Sequence, residues 1–328
     1  MNTELQSSAI QILNENSDIY APVAEALPKT SVRDYFFALK KNIDEFLKRD
    51  KELIGRLKTI DKAVEEKAVK RNVRELLKLK REEIERVRDK MHSQLISWWE
   101  EYDAKCPISV KIALTPIGET VCFGYYKSFK DGFNDLVGKI EWRVLAKKNG
   151  VAYLISERIL DIVPYSSLSL ESWHTSVLRK WCQDLYAKGF TDVEKMFIVP
   201  VNLRTPEIAD GVSCLERVFI PCATDIERYM PTERDRYTQA TDVAASKVSM
   251  TWGSWKGDVP ANRRVSGWWT RTSMPNTKDA TCVIDRISTV NVENLHGVSA
   301  NESRKIYSKA YKAWPMGVRP AVLVKVAE

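Results

Sequence analysis

Eight side chains in two stretches of this chain combine the chemistries that proteins use for recognition. Residues 246–266 pair Trp252 and Trp255 with Lys256, Arg263 and Arg264. Residues 288–316 set Tyr307, Tyr311 and Trp314 among Arg304, Lys305, Lys309 and Lys312. Aromatic rings give large, stiff contact area at low entropy cost, and interaction hot spots combine them with arginine. The same mixture suits an acidic glycan or a single-stranded nucleic acid. In the plainer alternative the tryptophans pin both stretches to a core and the bases stay solvated.

Bond-making chemistry finds less support. The six cysteines (Cys106, Cys122, Cys182, Cys214, Cys222, Cys282) are widely spaced with no CxxC, which excludes zinc-ribbon and thioredoxin-like readings. Free, mostly buried thiols in a cytosolically made chain are the default expectation. The three histidines (His92, His174, His296) are too scattered for a His-rich metal site, and no local pattern marks a nucleophilic triad. His174, beside Trp173, reads as a half-buried helix residue rather than a catalyst. Glu171 and Asp184 flank the same helix without acid/base spacing. Neither GxGxxG nor GxxxxGK[ST] occurs, so no nucleotide-phosphate loop is expected. The expectation is therefore no catalytic residue, no metal and no cofactor.

The elements that position these residues follow from composition. The 328 residues are 44% hydrophobic and 29% charged, a core-forming balance with room for one large domain or two modest ones. The net charge of +7 is small against 51 bases and 44 acids, a weak signal for nucleic acid. No run of about 18 apolar residues occurs, so no membrane insertion is expected. The first 30 residues lack a basic region followed by an apolar one, and no secretory signal is expected. Between Ser31 and Lys105 there is one glycine, Gly55, and no proline. Beyond Pro107 both become frequent, and eight of the ten tryptophans follow.

The glycine-poor stretch reads as helix, with Thr30 or Ser31 as N-cap and Asp34 in the first turn. Apolar residues recur at steps of three and four: Phe36, Leu39, Ile43, Phe46, Leu53, Leu57, Ile60, Val64, with Asp50 interrupting. A second run holds Val73, Leu76, Leu77, Ile84, Val87, Met91, Leu95 and Trp98. These narrow stripes suit a coiled-coil seam or a helical hairpin. They lose register across 67–72, where the chain either reverses or stutters; one straight helix would be about 105 Å long. Acids and bases interleave, which points to a solvated face rather than a phosphate-tracking stripe.

Beyond Pro107 short elements alternate. Strands are predicted at Ile108–Leu114, Thr120–Tyr126, 140–146, Val151–Ser156, 215–221, 267–272, 281–287 and 317–326. The Lys147-Lys148-Asn149-Gly150 turn marks a hairpin. A helix is predicted over 170–187, with Trp173, Val177, Trp181 and Leu185 on one face and Gly189 just past its end. Thr191 and Thr224 each open a short helix with a capping-box pattern. Residues 230–266 read as polar loop. The order is that of an α+β domain.

The motifs IEWRVL, VAYLISERILDIVPY, SWHTSVLRKW, GFTDVEK, ERVFIPCATDIERY, GWWTRTS and GVRPAVLVKV occur in that order. The series resembles the DUF6273-type domain of bacterial and phage-associated proteins, over roughly residues 118–326. That resemblance implies a variant of the C-type-lectin fold, similar to variable proteins of diversity-generating retroelements and to formylglycine-generating-type domains. Trp142, Arg179, Trp181, Trp268, Trp269, Arg271, Arg319 and Pro320 match its motifs and read as scaffold. The EPN and QPD triplets of calcium-dependent lectins are absent. Cys214, Cys222 and Cys282 do not form the copper-binding cysteine motif of the sulfatase-modifying enzymes. The resemblance implies a ligand surface on the long loops at 246–266 and 288–316.

The expected organisation is an N-terminal segment (1–30), a helical coiled coil or hairpin (31–106), and a C-type-lectin-like mixed α/β domain (107–328). The expected function is non-enzymatic binding of a protein or glycan through Trp252, Trp255, Lys256, Arg263, Arg264, Tyr307, Tyr311 and Trp314. Residues 31–106 would self-assemble or dock. A phage or prophage virion or tail protein that binds a receptor, made in the cytoplasm, fits this reading. The alternatives are a formylglycine-generating-type enzyme and an intracellular nucleic-acid-associated protein; the weak charge surplus argues against nucleic acid as partner.

Overall fold

The computed structural model describes residues 3–15, 20, 24–29, 31–66, 69–126, 138–166, 173–203, 214–251, 267–273, 279–284, 308–311 and 315–327. It divides into two compact units, Met1–Val110 and Lys111–Glu328.

The first unit is helical: α1 (Thr3–Asn14), α2 (Val32–Glu65) and α3 (Arg71–Lys105). Ser31 caps α2, its hydroxyl accepting from the Asp34 amide at 3.3 Å. Rising residue numbers on α2 meet falling numbers on α3. Phe36 meets Tyr102 with ring centroids 6.3 Å apart, Phe46 meets Trp98 at 4.8 Å, and Asp61 accepts from Arg81 at 2.9 Å. The break at 67–72 is therefore a reversal, and the two helices form an antiparallel hairpin. Its seam buries Phe36, Leu39, Ile43, Phe46, Leu53, Leu57 and Ile60 against Leu77, Ile84, Met91, Leu95 and Trp98. Leu76, expected in the seam, is 53% exposed; Leu77 and the stem of Lys80 take the inward positions. Lys80 donates to the Glu15 carbonyl at 2.7 Å, and Arg56 pairs with the Glu15 carboxylate at 2.8 Å, which ties the end of α1 to the hairpin.

Ile108–Leu114, predicted as a strand, is helix α4. Its short apolar run carries no decisive period, and Pro107 opens a helical turn in which its carbonyl accepts from Val110 at 3.0 Å. The second unit then runs β1 (Thr120–Tyr126), β2 (Gly138–Lys148), β3 (Val151–Ser156), β4 (Asp161–Pro164), a 3-10 turn (Trp173–Thr175), α5 (Val177–Gly189) and α6 (Asp192–Phe197). It continues through β5 (Val201–Leu203), β6 (Cys214–Glu216), β7 (Val218–Phe219), α7 (Ala223–Tyr229), α8 (Glu233–Arg236) and α9 (Asp242–Thr251). It closes with β8 (Gly267–Ser273), β9 (Asp279–Ile284), β10 (Ser308–Tyr311), β11 (Pro315–Val318) and β12 (Ala321–Lys325). The fold is α+β.

Among the described residues two five-stranded sheets result, ordered β1-β2-β3-β12-β7 and β10-β9-β8-β11-β4, with a separate β5-β6 ribbon. The first is antiparallel throughout; the second contains one parallel pair, β11 with β8. Arg319-Pro320 carries the chain from β11 in one sheet to β12 in the other. Gly317 permits the parallel approach, because a Cβ there would lie 2.6 Å from the Gly267 carbonyl.

Other boundaries also move. The helix expected from 170 begins as α5 after Ser176, whose hydroxyl accepts from the Arg179 amide at 3.0 Å. It buries Leu178, Cys182, Leu185 and Gly189, so Gly189 belongs to the helix and Trp181 is only half-buried. Thr191 forms the expected capping box with Glu194. The second box belongs to Cys222 and Asp225 rather than Thr224. The expected loop at 230–266 contains α8 and α9, each preceded by a threonine cap, Thr232 and Thr241. The expected loop at 288–316 contains β10 and the start of β11.

Candidate functional site

One face of the first sheet carries a recess, and strand register explains it. Asn149 and Gly150 adopt left-handed φ angles of 52° and 69°, the geometry of a tight hairpin turn. That turn sets Lys148 opposite Val151 and Ala146 opposite Tyr153, before the register shifts between Ala146 and Val144. Tyr153 in turn faces Leu323 on β12, and Phe219 follows on β7. Over this face stand Val201 and Leu203 of β5, Asp225 and Tyr229 of α7, and Arg271 of β8. Together they line an open cleft of about 290 Å³.

Its aromatic floor is ordered by ring packing. Tyr153 lies nearly parallel to Phe219 at 5.9 Å and meets Tyr229 edge-on at 5.2 Å. The Tyr153 hydroxyl is buried without a hydrogen bond of normal geometry. Burial, and then the neighbouring Asp225 carboxylate, hold it protonated well above the usual phenol range. Arg271 is 5% exposed and sits over the Phe219 ring at 5.8 Å. Its Nη1 donates to the Ile220 carbonyl at 2.9 Å, and its Nε is buried without a partner among the described residues. Asp225 Oδ2 is 3.9 Å from Arg271 Nη1, too far for a hydrogen bond, and accepts instead from the Cys222 amide at 3.0 Å. Lys148 stands exposed at the rim.

The cleft thus offers a flat apolar surface flanked by two cations and one carboxylate already engaged as a helix cap. Nearby thiols are poor nucleophiles: burial raises the pKa of Cys182, Cys214 and Cys222, with Glu216 adding at the first two and Asp225 at Cys222. Among the described residues no group of three or more His, Cys, Asp or Glu side chains is arranged to hold a metal ion.

Residues matching the family motifs brace the domain around this cleft. Trp142 is fully buried between Phe123 and Phe190 and donates to the Phe123 carbonyl at 2.9 Å. Trp269 donates to the Val163 carbonyl at 2.9 Å. Arg179 pairs with Glu216, whose pKa burial raises despite that pairing. Asp161 is 2% exposed and collects four donors: the Tyr126 hydroxyl, Trp181 Nε1 at 2.9 Å, Lys247 Nζ and the Ile162 amide at 2.7 Å. Arg319 is fully buried at the crossover between sheets. Its Nε donates to the Ser156 carbonyl at 2.7 Å and its guanidinium lies 5.3 Å from the Trp268 ring centroid, but both Nη atoms lack partners. Burial pushes its pKa down to about 9.

Of the eight residues singled out from the sequence, Trp252, Trp255, Lys256, Arg263, Arg264, Tyr307 and Trp314 lie outside the described residues. Tyr311 ends β10, its Cα opposite that of Asp279. The cleft was not among the expected sites. Tyr153, Phe219, Tyr229 and Arg271 all lie inside motifs quoted above, and the Asn-Gly turn fixes Lys148 beside Val151. Their convergence, however, depends on β3–β12–β7 pairing between residues far apart in sequence.

Fold and cleft define an α+β domain with a small recess on one sheet face, preceded in sequence by a helical hairpin. The chain belongs to the family described as "Domain of unknown function (DUF6273)", whose model matches residues 149–326. The match starts at the hairpin turn and leaves out β1 and β2, which the resemblance had included. No curated protein and no solved structure matches the chain.

Proposed function

We propose that this chain is a non-enzymatic binding protein whose DUF6273 domain receives a ligand in the sheet-face cleft. The observation that carries this reading is the cleft itself: an aromatic floor of Tyr153, Phe219 and Tyr229 beside a buried Arg271 whose ion pair with Asp225 is loose, at 3.9 Å. Concave, largely apolar sites with a few placed polar groups are the usual form of ligand pockets. The raised thiol pKa values favour binding over cysteine chemistry of the formylglycine-generating kind. The aromatic and basic stretches at 246–266 and 288–316 adjoin β8–β11 in sequence and supply the proposed outer surface for a protein or glycan. The ordered motifs favour a C-type-lectin-like variant and, with it, receptor binding on a phage or prophage particle. The helical hairpin is the proposed assembly or docking element.

A ligand-observed NMR screen of the full chain against a diverse set of organic acids, sugars and amines tests this. Hits should compete with one another, be recovered chemically unchanged, and disappear in the cleft-filling variant Ala146→Trp. Hits unaffected by that substitution, or converted to products, would overturn the proposal.

A further inference from the structure

The charges around the cleft go further and select a ligand class. Among the described residues, three ionisable side chains other than tyrosine line it: Arg271, Lys148 and Asp225. Asp225 pairs with Arg271 only loosely. Its Oδ2 receives the Cys222 amide as the N3 acid of the α7 capping box, and 3.9 Å separates it from the guanidinium. Helix capping therefore shares the carboxylate with the helix, its ion pair with Arg271 stays loose, and the two cations leave the described lining with one positive charge in excess. Two cations against one shared carboxylate favour an anionic ligand, whose hydrogen bonds to charged donors are strengthened. The rest of the lining is apolar: Tyr153 and Phe219 have nearly parallel rings, with Leu323, Val151 and Ala146 in the same sheet face. The recess is at the small end of ligand sites, so the apolar body is about the size of one ring or one branched chain.

We infer that the cleft takes a small carboxylate with a flat apolar body, its acid group toward Arg271 and Lys148 and its body on Tyr153 and Phe219. The inference rests on the binding reading above and adds the sign of the ligand's charge. Amines are disfavoured by two cations, and neutral compounds forgo the charged contact.

Calorimetric titration of the full chain with three isosteres, 3-phenylpropionate, 3-phenylpropanamide and 3-phenylpropan-1-amine, tests it. The acid should bind at least about tenfold tighter than the amide, the difference expected for a hydrogen bond to a charged group. The amine should bind weakest, and added salt should weaken the acid alone. Lys148→Gln, at an exposed position, should weaken the acid and leave the amide unchanged. Arg271→Gln should do the same more strongly, with its thermal midpoint read alongside. Equal affinity for acid and amide, or tightest binding of the amine, would overturn the inference while leaving the cleft a binding site. No binding of the acid would overturn it too, and the broader screen would then decide the binding reading separately.

Discussion

Arg271 Nη1 and Asp225 Oδ2 stand 3.9 Å apart in the lining of the cleft, a loose ion pair whose carboxylate also caps a helix. Asp225→Asn retains an acceptor for the Cys222 amide and removes only the charge. The expected cost is about 0.3–1 kcal/mol, the usual worth of an acid in a first helical turn. Urea unfolding measures it. A loss above about 2 kcal/mol would mean that the two side chains form a tight pair in solution.

Asp161 binds four elements through one buried carboxylate: Tyr126 of β1, Trp181 of α5, Lys247 of α9 and its own strand β4. Removing it leaves buried donors facing an apolar void. Asp161→Ala should destabilise the domain by about 3–5 kcal/mol. Lys247→Met, which spares the Tyr126 and Trp181 bonds, should cost clearly less. Equal losses in the two variants would contradict a shared hub.

Arg319 is a buried cation whose Nε alone is satisfied. Burial pushes its pKa down to about 9 in the fold, well below that of an arginine in the open chain. The unfolded chain then binds more protons between those values, so this group's contribution to stability rises with pH across that window. Arg319→Met should be neutral or up to about 4 kcal/mol stabilising at pH 7, as for other buried charges replaced by apolar groups. The advantage of the variant should shrink above pH 9. A strongly destabilised variant at pH 7 would indicate that the two Nη groups also hold an acceptor in solution.

Asp50 interrupts the apolar seam of α2 and accepts from Arg88 at 2.7 and 3.4 Å, with His92 at 3.0 Å. Burial pushes its pKa up, but the Arg88 bonds and charge, and then His92, draw it below the usual carboxylate value. The folded chain therefore binds its proton less readily than the unfolded one. The pair's contribution is complete above about pH 4 and is lost as pH falls through the lowered folded value. Asp50→Asn should cost about 1–3 kcal/mol at pH 7, and the difference from the wild type should vanish in strong acid. A pH-independent difference would rule the pairing out.

Features legible in the sequence are those with local causes. The hairpin seam follows from side chains three and four apart, with Ser31 capping its start. The β2–β3 turn follows from Asn149-Gly150, and the α6 box from Thr191 and Glu194. Ile108–Leu114 misleads because seven apolar-rich residues fit either period. Helix α9 hides in a polar stretch whose alanines, Ala244 and Ala245, are buried by tertiary packing rather than marked by a stripe. The scaffold role of Trp142, Trp269, Arg179 and Arg319 was readable from the motifs. The cleft was not, because Tyr153, Leu323 and Phe219 meet only through long-range strand pairing. The charge on its wall matters only once Asp225 is seen to cap α7.

The most direct test is a methyl NMR titration of the full chain with 3-phenylpropionate. Val151, Val201, Leu203 and Leu323 line the cleft and report on it, while Leu39 and Ile60 lie in the helical unit as controls. The expected result is saturable shifts confined to the four cleft residues and abolished by Ala146→Trp. Shifts elsewhere, or unchanged by that substitution, or none at all, would contradict a binding cleft for this ligand.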